Sequence, residues 1–195
     1  MENINLDGQY WSNRYLNNQT GWDIGSSATP LAKYIDQLTN KNLKILIPGC
    51  GNAYEAEYLL EKGFTNVTVL DISEVLVKHL QEKFKKNPHI TILLEDFFEH
   101  QGEYDLILEQ TFFCAINPTL RQQYAIRMAQ ILKKQGKLAG LLFNKDFEIN
   151  PPFGGNQDEY IAYFKPYFEF KTFEICYNSI APRAGTELFI NFIKK

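Results

Sequence analysis

Strand-like and helix-like segments alternate along the chain from Leu43 onward, and this order restricts the folds open to it. Apolar runs typical of buried strands are each followed by turn residues and then by amphipathic, helix-like stretches. The apolar runs lie at 43–47, 66–70, 90–94, 104–109 and 137–143. The helix-like stretches between them lie at 53–62, 73–86 and 117–136, with Ser73 and Asn117 as caps. Strands that alternate with helices predict a doubly wound, mostly parallel sheet.

The C-terminal part of the chain departs from this alternation. A helix near 158–165 is followed by two strand-like runs, at about 168–177 and 187–194, with no helix between them. Because two strands joined by a loop form a hairpin, we expect the last strand to run antiparallel. The sequence therefore predicts a three-layer α/β fold with a seven-stranded, mostly parallel sheet and an antiparallel last strand. A length of 195 residues suits a single domain.

The turn after the first strand has the composition of a ligand-binding loop. Gly49 and Gly51 allow a close approach of the backbone to a ligand. Asp71 ends the second strand, 20 residues after Gly51, where a carboxylate can accept both ribose hydroxyls of a nucleoside. The loop alone is a weak signal, but the loop and the acidic residue at this spacing together indicate a nucleoside site.

The nucleoside is not expected to belong to a dinucleotide. A dinucleotide fingerprint needs a third glycine three residues after the second, where this chain has Tyr54. That side chain would crowd a pyrophosphate, so an NAD-dependent oxidoreductase is disfavoured. S-adenosylmethionine (SAM) has no phosphate and tolerates the change.

Two further strand ends carry candidate cofactor residues. Asp96 and Phe97 follow the third strand, where the carboxylate can accept from the adenine amino group and the Phe97 N–H can reach a ring nitrogen. Asp96 has an alternative role as a helix cap. Glu109 and Gln110 end the fourth strand and face the expected methyl-transfer region, although polar residues there can equally cap the next turn.

Charge and composition exclude several classes of protein. The net charge is −3 without a basic stripe, so no nucleic-acid partner is expected. No apolar run approaches the roughly 20 residues that span a bilayer. The polar, acidic N-terminus lacks the features of a signal peptide, which predicts a cytoplasmic protein. The three cysteines form no CxxC pair and the three histidines lack metal-ligand spacing, so neither a disulfide nor a metal is expected.

Aromatic residues make up 14% of the chain, and both tryptophans, Trp11 and Trp22, precede the first predicted strand. One interpretation is that they form a lid over a cationic cofactor, because aromatic faces attract cations. The alternative is that they anchor a terminal helix on the core.

Several segments together resemble the thiopurine S-methyltransferase family, especially its branch of thiol and halide methyltransferases. They are Trp11-Ser-Asn-Arg-Tyr15, Thr20-Gly-Trp-Asp23, the Pro-Gly-Cys-Gly loop, Phe112-Phe-Cys-Ala-Ile116 and Asn178-Ser-Ile-Ala-Pro-Arg-Ala-Gly185. The resemblance implies a class I SAM-dependent methyltransferase, formed by residues 1–195 as one domain, with residues 1–28 as an N-terminal lid over the cofactor.

The resemblance also implies a set of site residues. The expected cofactor-binding residues are Trp11, Tyr15, Trp22, Gly49, Gly51, Asp71, Asp96, Phe97 and Gln110. Three features depart from the family pattern. Tyr15 stands where a Trp is often found, Gln110 stands where an Arg or Tyr is usual, and the Gly-Gly-Pro-Pro segment is replaced by Asn150-Pro-Pro-Phe-Gly-Gly155.

We therefore expect transfer of the SAM methyl group to a small soft nucleophile, such as a thiol, a thiopurine-like sulfur, a halide or a related chalcogen. The candidate substrate-pocket residues are Trp22, Gln110, Phe153 and Arg183, the last with a salt bridge as its alternative role. Tyr160 and Tyr163 can line the pocket or belong to the core. The partner is a small-molecule methyl acceptor, and the protein is expected to be a monomer or a weak homo-oligomer.

The sequence also allows two other functions. The substitutions at Gln110 and in 150–155 are compatible with a SAM- or nucleotide-binding module that has no catalytic activity. Asn150-Pro-Pro-Phe153 spells a signature of amino-group N-methyltransferases, but that signature directly follows the fourth strand, whereas here it follows the fifth.

Overall fold

Seven strands form one sheet in the order β3-β2-β1-β4-β5-β7-β6 in the computed structural model, which describes residues 5–195. The first four residues of the predicted 1–28 segment lie outside the described residues. The strands are β1 (Ile45–Pro48), β2 (Val67–Asp71), β3 (Ile90–Leu94), β4 (Tyr104–Gln110), β5 (Leu132–Phe143), β6 (Phe168–Ile175) and β7 (Glu187–Lys194). The α-helices are α1 (Gly8–Leu16), α2 (Thr29–Asp36), α3 (Tyr54–Glu61), α4 (Glu74–Lys83), α5 (Arg121–Ile131) and α6 (Gln157–Phe164).

The sheet has the predicted directions. Strand β1 pairs in parallel with β2 and β4, and further parallel pairs join β2 to β3 and β4 to β5. Strand β7 lies between β5 and β6 and is antiparallel to both. The predicted fold class, a mostly parallel sheet with an antiparallel last strand, is therefore confirmed.

Helices cover both faces of the sheet because the side chains of its central strands alternate between two cores. In β1, Ile45 and Ile47 belong to the core that contains α2, α3 and α4, whereas Leu46 belongs to the core that contains α5 and α6. All four residues of β1 are buried. This two-sided burial explains the continuous apolar run from which the strand was predicted.

The boundary between α5 and β5 differs from the sequence prediction. The helix was expected to continue to Gly136, but it ends at Ile131 and β5 begins at Leu132. Leu132 is buried and pairs with Tyr104, after which a register shift brings Lys137 opposite Leu106. Gly136 is required at this register shift within β5, because a Cβ there would lie 2.8 Å from the Lys133 carbonyl oxygen. Pairing with β4 therefore overrides the local helical pattern.

Two helices precede β1 that the sequence pattern had not assigned. Asp7 caps α1 by accepting a hydrogen bond from the Tyr10 N–H at 2.9 Å. Helix α1 packs on the start of α4, where the hydroxyls of Ser12 and Ser73 lie 3.1 Å apart. Because α4 begins directly after Asp71, this packing holds the N-terminal segment close to the carboxyl end of β2.

Candidate functional site

A large cavity of about 800 Å³ opens at the carboxyl ends of the parallel strands. It is lined by the residues that follow β1, by the last residues of β2 and β4, and by the residues that follow β3. Side chains of α1 and of the segment after it also contribute to its wall. Ligands of open α/β sheets bind at this edge.

The loop after β1 brings its backbone close to the cavity. Gly49 has a φ of +55°, and a Cβ at this position would lie 2.3 Å from the Phe112 ring. Gly51 has a φ of +52°, and the Tyr15 hydroxyl lies 3.7 Å from its Cβ position. Any side chain at Gly49 would therefore displace an aromatic wall residue, and both conformations favour glycine.

Asp71 lies at the end of β2, where its carboxylate lines the cavity and is almost completely buried. One carboxylate oxygen accepts from the Ser73 N–H at 2.9 Å. Burial raises the pKa of Asp71 to about 6, against the opposing effect of nearby backbone N–H groups. A buried carboxylate of this kind can accept hydrogen bonds from the hydroxyl groups of a ligand.

Asp96 and Phe97 also reach the cavity, in the turn after β3. Asp96 is exposed and accepts from the Phe98 N–H at 2.8 Å, so it caps this turn as well as lining the cavity. Phe97 is buried and packs edge-on against Phe112, with ring centroids 5.3 Å apart.

Three aromatic residues of the N-terminal segment lie together on the cavity wall. The ring of Trp22 is edge-on to Trp11, with centroids 5.5 Å apart, and to Tyr15, with centroids 5.8 Å apart. Asp23, the next residue, accepts hydrogen bonds from Asn52 and Tyr54. The segment after α1 is thereby attached to the loop that follows β1.

Two polar atoms of the cavity wall are buried without a hydrogen-bond partner among residues 5–195. They are Nε of Arg14 and Oε1 of Gln110, and both residues line the cavity. Buried polar atoms normally have a hydrogen-bond partner. This pair therefore indicates that a ligand supplies an acceptor for Arg14 and a donor for Gln110.

Arg183 lies on the cavity wall in a short 3₁₀ turn (Ala181–Arg183) before β7. Its guanidinium donates to the Trp22 carbonyl oxygen at 2.9 Å and to Glu187 at 3.4 Å. Glu187 is buried, so the ion pair belongs to the interior rather than to the surface. Arg183 thus joins the N-terminal segment to the last strand.

The segment after β5 contributes to the cavity in a different way from that predicted. Pro151 and Pro152 line the cavity, but Phe153 is absent from its described wall and donates its N–H to the Cys114 carbonyl oxygen at 2.7 Å. Tyr160 is buried in the core, with its hydroxyl 2.8 Å from the Phe143 carbonyl oxygen. Tyr163 likewise packs against this core and does not line the cavity.

Arg14, Phe143, Lys145 and Phe147 are among the wall residues that were not predicted from the sequence. Phe143 and Phe147 lie edge-on, with centroids 4.9 Å apart, and the Lys145 ammonium lies 4.9 Å from the Phe147 ring. Cys114 lines the cavity too, but burial raises its pKa to about 12, so it is a neutral thiol near pH 7.

Among residues 5–195, no three His, Cys, Asp or Glu side chains are grouped as a metal site would require. Within the same range, no helix is long and apolar enough to cross a membrane.

A family model described as thiopurine S-methyltransferase matches residues 6–187. A probable thiol methyltransferase 2 from Arabidopsis thaliana is 33% identical over 185 residues, which cover 91% of this chain and 81% of that protein. Thiocyanate methyltransferase 1 from Brassica oleracea is 32% identical over 186 residues, with 91% and 81% covered.

A solved structure shows the same fold at low sequence identity. It is the 1,6-didemethyltoxoflavin-N1-methyltransferase of Burkholderia thailandensis with bound 1,6-didemethyltoxoflavin and S-adenosylhomocysteine. It aligns with a TM-score of 0.76 at 17% identity, over 96% of this chain and 86% of that one.

Proposed function

Because this chain belongs to the thiopurine S-methyltransferase family, we propose that it methylates a small soft nucleophile such as a thiol, a thiopurine-like sulfur, a halide or a related chalcogen. The chain is a SAM-dependent methyltransferase. One observation carries the proposed chemistry: Trp11, Tyr15 and Trp22 line the same cavity as Asp71 and the loop around Gly49.

The residues of the cavity fit SAM. Gly51 leaves room for a ligand against the backbone, Gly49 makes room for the Phe112 ring of the wall, and Asp71 offers a carboxylate to the ribose hydroxyls. Asp96 and Phe97 are proposed to contact the adenine. The unpartnered oxygen of Gln110 suits an N–H donor at the methionine end of the cofactor.

We assign residues 1–28 as a lid of the single domain 1–195. When bound, SAM supplies an electrophilic methyl group on a sulfonium cation. Trp11, Tyr15 and Trp22 offer aromatic faces to such a cation, an interaction of roughly 0.5–2 kcal/mol for each well-placed ring. Their packing also excludes water from the reacting centre.

The acceptor is proposed to enter beside Gln110 and Arg183. Phe143, Phe147 and the two prolines of the 150–155 segment make this side largely apolar, which suits a polarisable nucleophile. The Arg183 guanidinium, although paired with Glu187, lies on this wall and can donate a hydrogen bond to an anionic acceptor, while its hydrogen bond to Trp22 positions the lid. A thiolate forms readily near neutral pH, so alignment of the reacting atoms matters more than a strong general base.

The protein is further proposed to act in the cytoplasm on a small molecule, as a monomer or weak homo-oligomer, without a nucleic-acid partner. Three free, buried cysteines suit a reducing compartment. A net charge of −3 gives no electrostatic attraction to nucleic acid.

The test is methyl transfer from labelled SAM to a panel of acceptors by the purified protein. The panel holds iodide, thiocyanate, bisulfide and an aromatic thiol, with a primary amine and an alcohol for comparison. We expect methylated product from at least one soft nucleophile and none from the amine or alcohol. Trp22→Ala should lower the rate by at least about tenfold, because the sulfonium loses an aromatic contact and gains water.

Tyr177→Ala is the matched control, since Tyr177 is an aromatic residue that is 91% exposed. It should retain the wild-type rate. Cofactor binding without transfer to any acceptor would favour the non-catalytic module. Transfer to the amine alone would favour an N-methyltransferase that uses the 150–153 segment.

A further inference from the structure

Arg14 lies on α1, between the two aromatic residues of that helix that line the cavity. Its guanidinium carbon is 5.6 Å from the centroid of the Trp22 ring, and its Nε is buried. Among residues 5–195 no acceptor reaches this Nε and no carboxylate forms an ion pair with the side chain. A charged donor buried without an acceptor is costly.

The carboxylates of the cavity wall are already engaged elsewhere. Each accepts a hydrogen bond from another group, which leaves Arg14 without an anion of the described protein. The hydrogen-bonded pairs are Asp23 and Asn52, Glu55 and the Ala28 N–H, Asp71 and the Ser73 N–H, Glu95 and His100, and Asp96 and the Phe98 N–H.

The other cations of the wall differ from Arg14. Arg183 has two partners, the Trp22 carbonyl oxygen and Glu187. Lys145 is an exposed residue whose ammonium rests beside the Phe147 ring. Arg14 therefore combines a buried Nε donor that has no partner among residues 5–195 with a place on the cavity wall.

Arg14 also lies next to the part of the cavity where the glycine loop, the loop after β1 that contains Gly49 and Gly51, approaches the lid. The Trp22 ring that Arg14 approaches also packs against Tyr15, whose hydroxyl lies 3.7 Å from the Cβ position of Gly51. If Asp71 and Asp96 hold the nucleoside, the amino-acid end of the cofactor must extend along this loop. SAM carries one carboxylate, and it lies at that end.

We infer that Arg14 binds the α-carboxylate of SAM, an assignment that rests on the cofactor placement proposed above. The planar guanidinium offers fork-like donors that match a carboxylate. The adenosine part carries no negative charge, so no other group of the cofactor offers the same complement.

The test is calorimetric binding of S-adenosylhomocysteine and of its decarboxylated analogue, which keeps the adenosine and the amine. Wild-type protein should bind the carboxylate-containing ligand more tightly. Arg14→Gln should lower the affinity for S-adenosylhomocysteine by about 10- to 100-fold, as expected for a lost charge-assisted hydrogen bond. The affinity of the same variant for the decarboxylated analogue should stay within about twofold of the wild-type value. Arg14→Lys should recover part of the discrimination, because it restores the charge.

Asn13→Ala, which changes an exposed residue of the same helix, should keep the wild-type ratio of affinities for S-adenosylhomocysteine and its decarboxylated analogue. Equal weakening of both ligands by Arg14→Gln, or no weakening of either, would overturn the assignment while the proposed function stands. Failure of the wild-type protein to bind S-adenosylhomocysteine would instead contradict the cofactor placement on which the assignment depends.

Discussion

Asp71 has a proposed binding role, and its ionisation should make the affinity for the ligand depend on pH. Burial raises the pKa of this carboxyl to about 6 in the ligand-free protein. Ribose hydroxyls donate hydrogen bonds, so they favour the ionised form. Affinity for S-adenosylhomocysteine should therefore be full above pH 7 and should fall as the pH decreases through about 6.

The matched variant is Asp71→Asn, which keeps the size of the side chain but does not titrate. It should bind the ligand about tenfold or more weakly at pH 7.5, because a charge-assisted hydrogen bond is lost. It should also lack the fall in affinity between pH 7 and 5. Calorimetric titration at several pH values measures both effects, and an equal pH dependence in the two proteins would exclude the ribose role.

Glu109, near the end of β4, has a buried carboxyl group that fixes the turn next to the cavity through hydrogen bonds. It accepts from the Phe112 N–H at 2.8 Å, from the Phe113 N–H at 3.0 Å and from the Tyr124 hydroxyl. These bonds hold the turn that carries Phe112 to the cavity. Burial raises the pKa of Glu109 to about 7.

This raised pKa predicts the direction of a stability change. The unfolded chain ionises Glu109 near pH 4.3, whereas the folded protein keeps it protonated until about pH 7. The stabilising contribution of this group is thus present at low pH and is lost as the pH rises through that interval.

Glu109→Gln removes this titration and can keep most of the hydrogen bonds. Between pH 5 and 8 its free energy of unfolding should rise relative to the wild type by about 1–3 kcal/mol. Urea unfolding at the two pH values gives the difference. A constant difference, or one of opposite sign, would mean that Glu109 is ionised in the fold throughout.

The site residues that were predicted from local motifs are those whose position depends only on where one strand ends. Gly49, Asp71 and Asp96 each follow a recognisable apolar run, and each lines the cavity. Phe147 lies four residues beyond the end of β5, and its position depends on packing against Phe143 rather than on the strand end itself. Arg14 had an unused signal: with Trp11 and Tyr15 it has the i, i+3, i+4 spacing of one helix face.

At the scale of elements, the lid is joined to the core by side-chain contacts as well as by chain continuity. Arg183 connects the Trp22 carbonyl oxygen to the start of β7, across 161 positions in sequence. Arg183→Ala should loosen the segment around Trp22, because a charged hydrogen bond of about 1.5–3 kcal/mol is lost. Chymotrypsin, which cuts after aromatic residues, should then cleave this segment about tenfold faster.

Glu187→Gln is the control for this variant. It alters the other partner of Arg183 but keeps the donor that reaches Trp22. Its cleavage rate in the N-terminal segment should stay close to the wild-type rate. Equal acceleration in both variants would mean that the ion pair with Glu187, rather than the bond to Trp22, retains the segment.

The elements that were predicted well are those with strong two-sided burial. Strands β1 and β2 are buried along their whole length and were read directly from apolar runs. Helix α1 was not assigned, because its sequence is mainly polar and its aromatic residues Trp11 and Tyr15 line the cavity. The end of α5 was misplaced because strand pairing at Leu132, a long-range contact, decides it.

At the scale of the molecule, fold and site depend on the same arrangement. Parallel strands bring the glycine loop, Asp71 and Gln110 to one edge of the sheet, although they are far apart in sequence. The packing of α1 on α4 then closes that edge with aromatic residues. The alternation of strands and helices predicted the edge, whereas the closure depends on contacts between distant segments.

The most direct measurement is a crystal structure of the protein with S-adenosylhomocysteine. We predict that the ribose hydroxyls bond to Asp71 and that the thioether lies against Trp11, Tyr15 and Trp22 on the lid. A cofactor bound elsewhere, or one in this cavity that leaves the three aromatic residues untouched, would contradict the account.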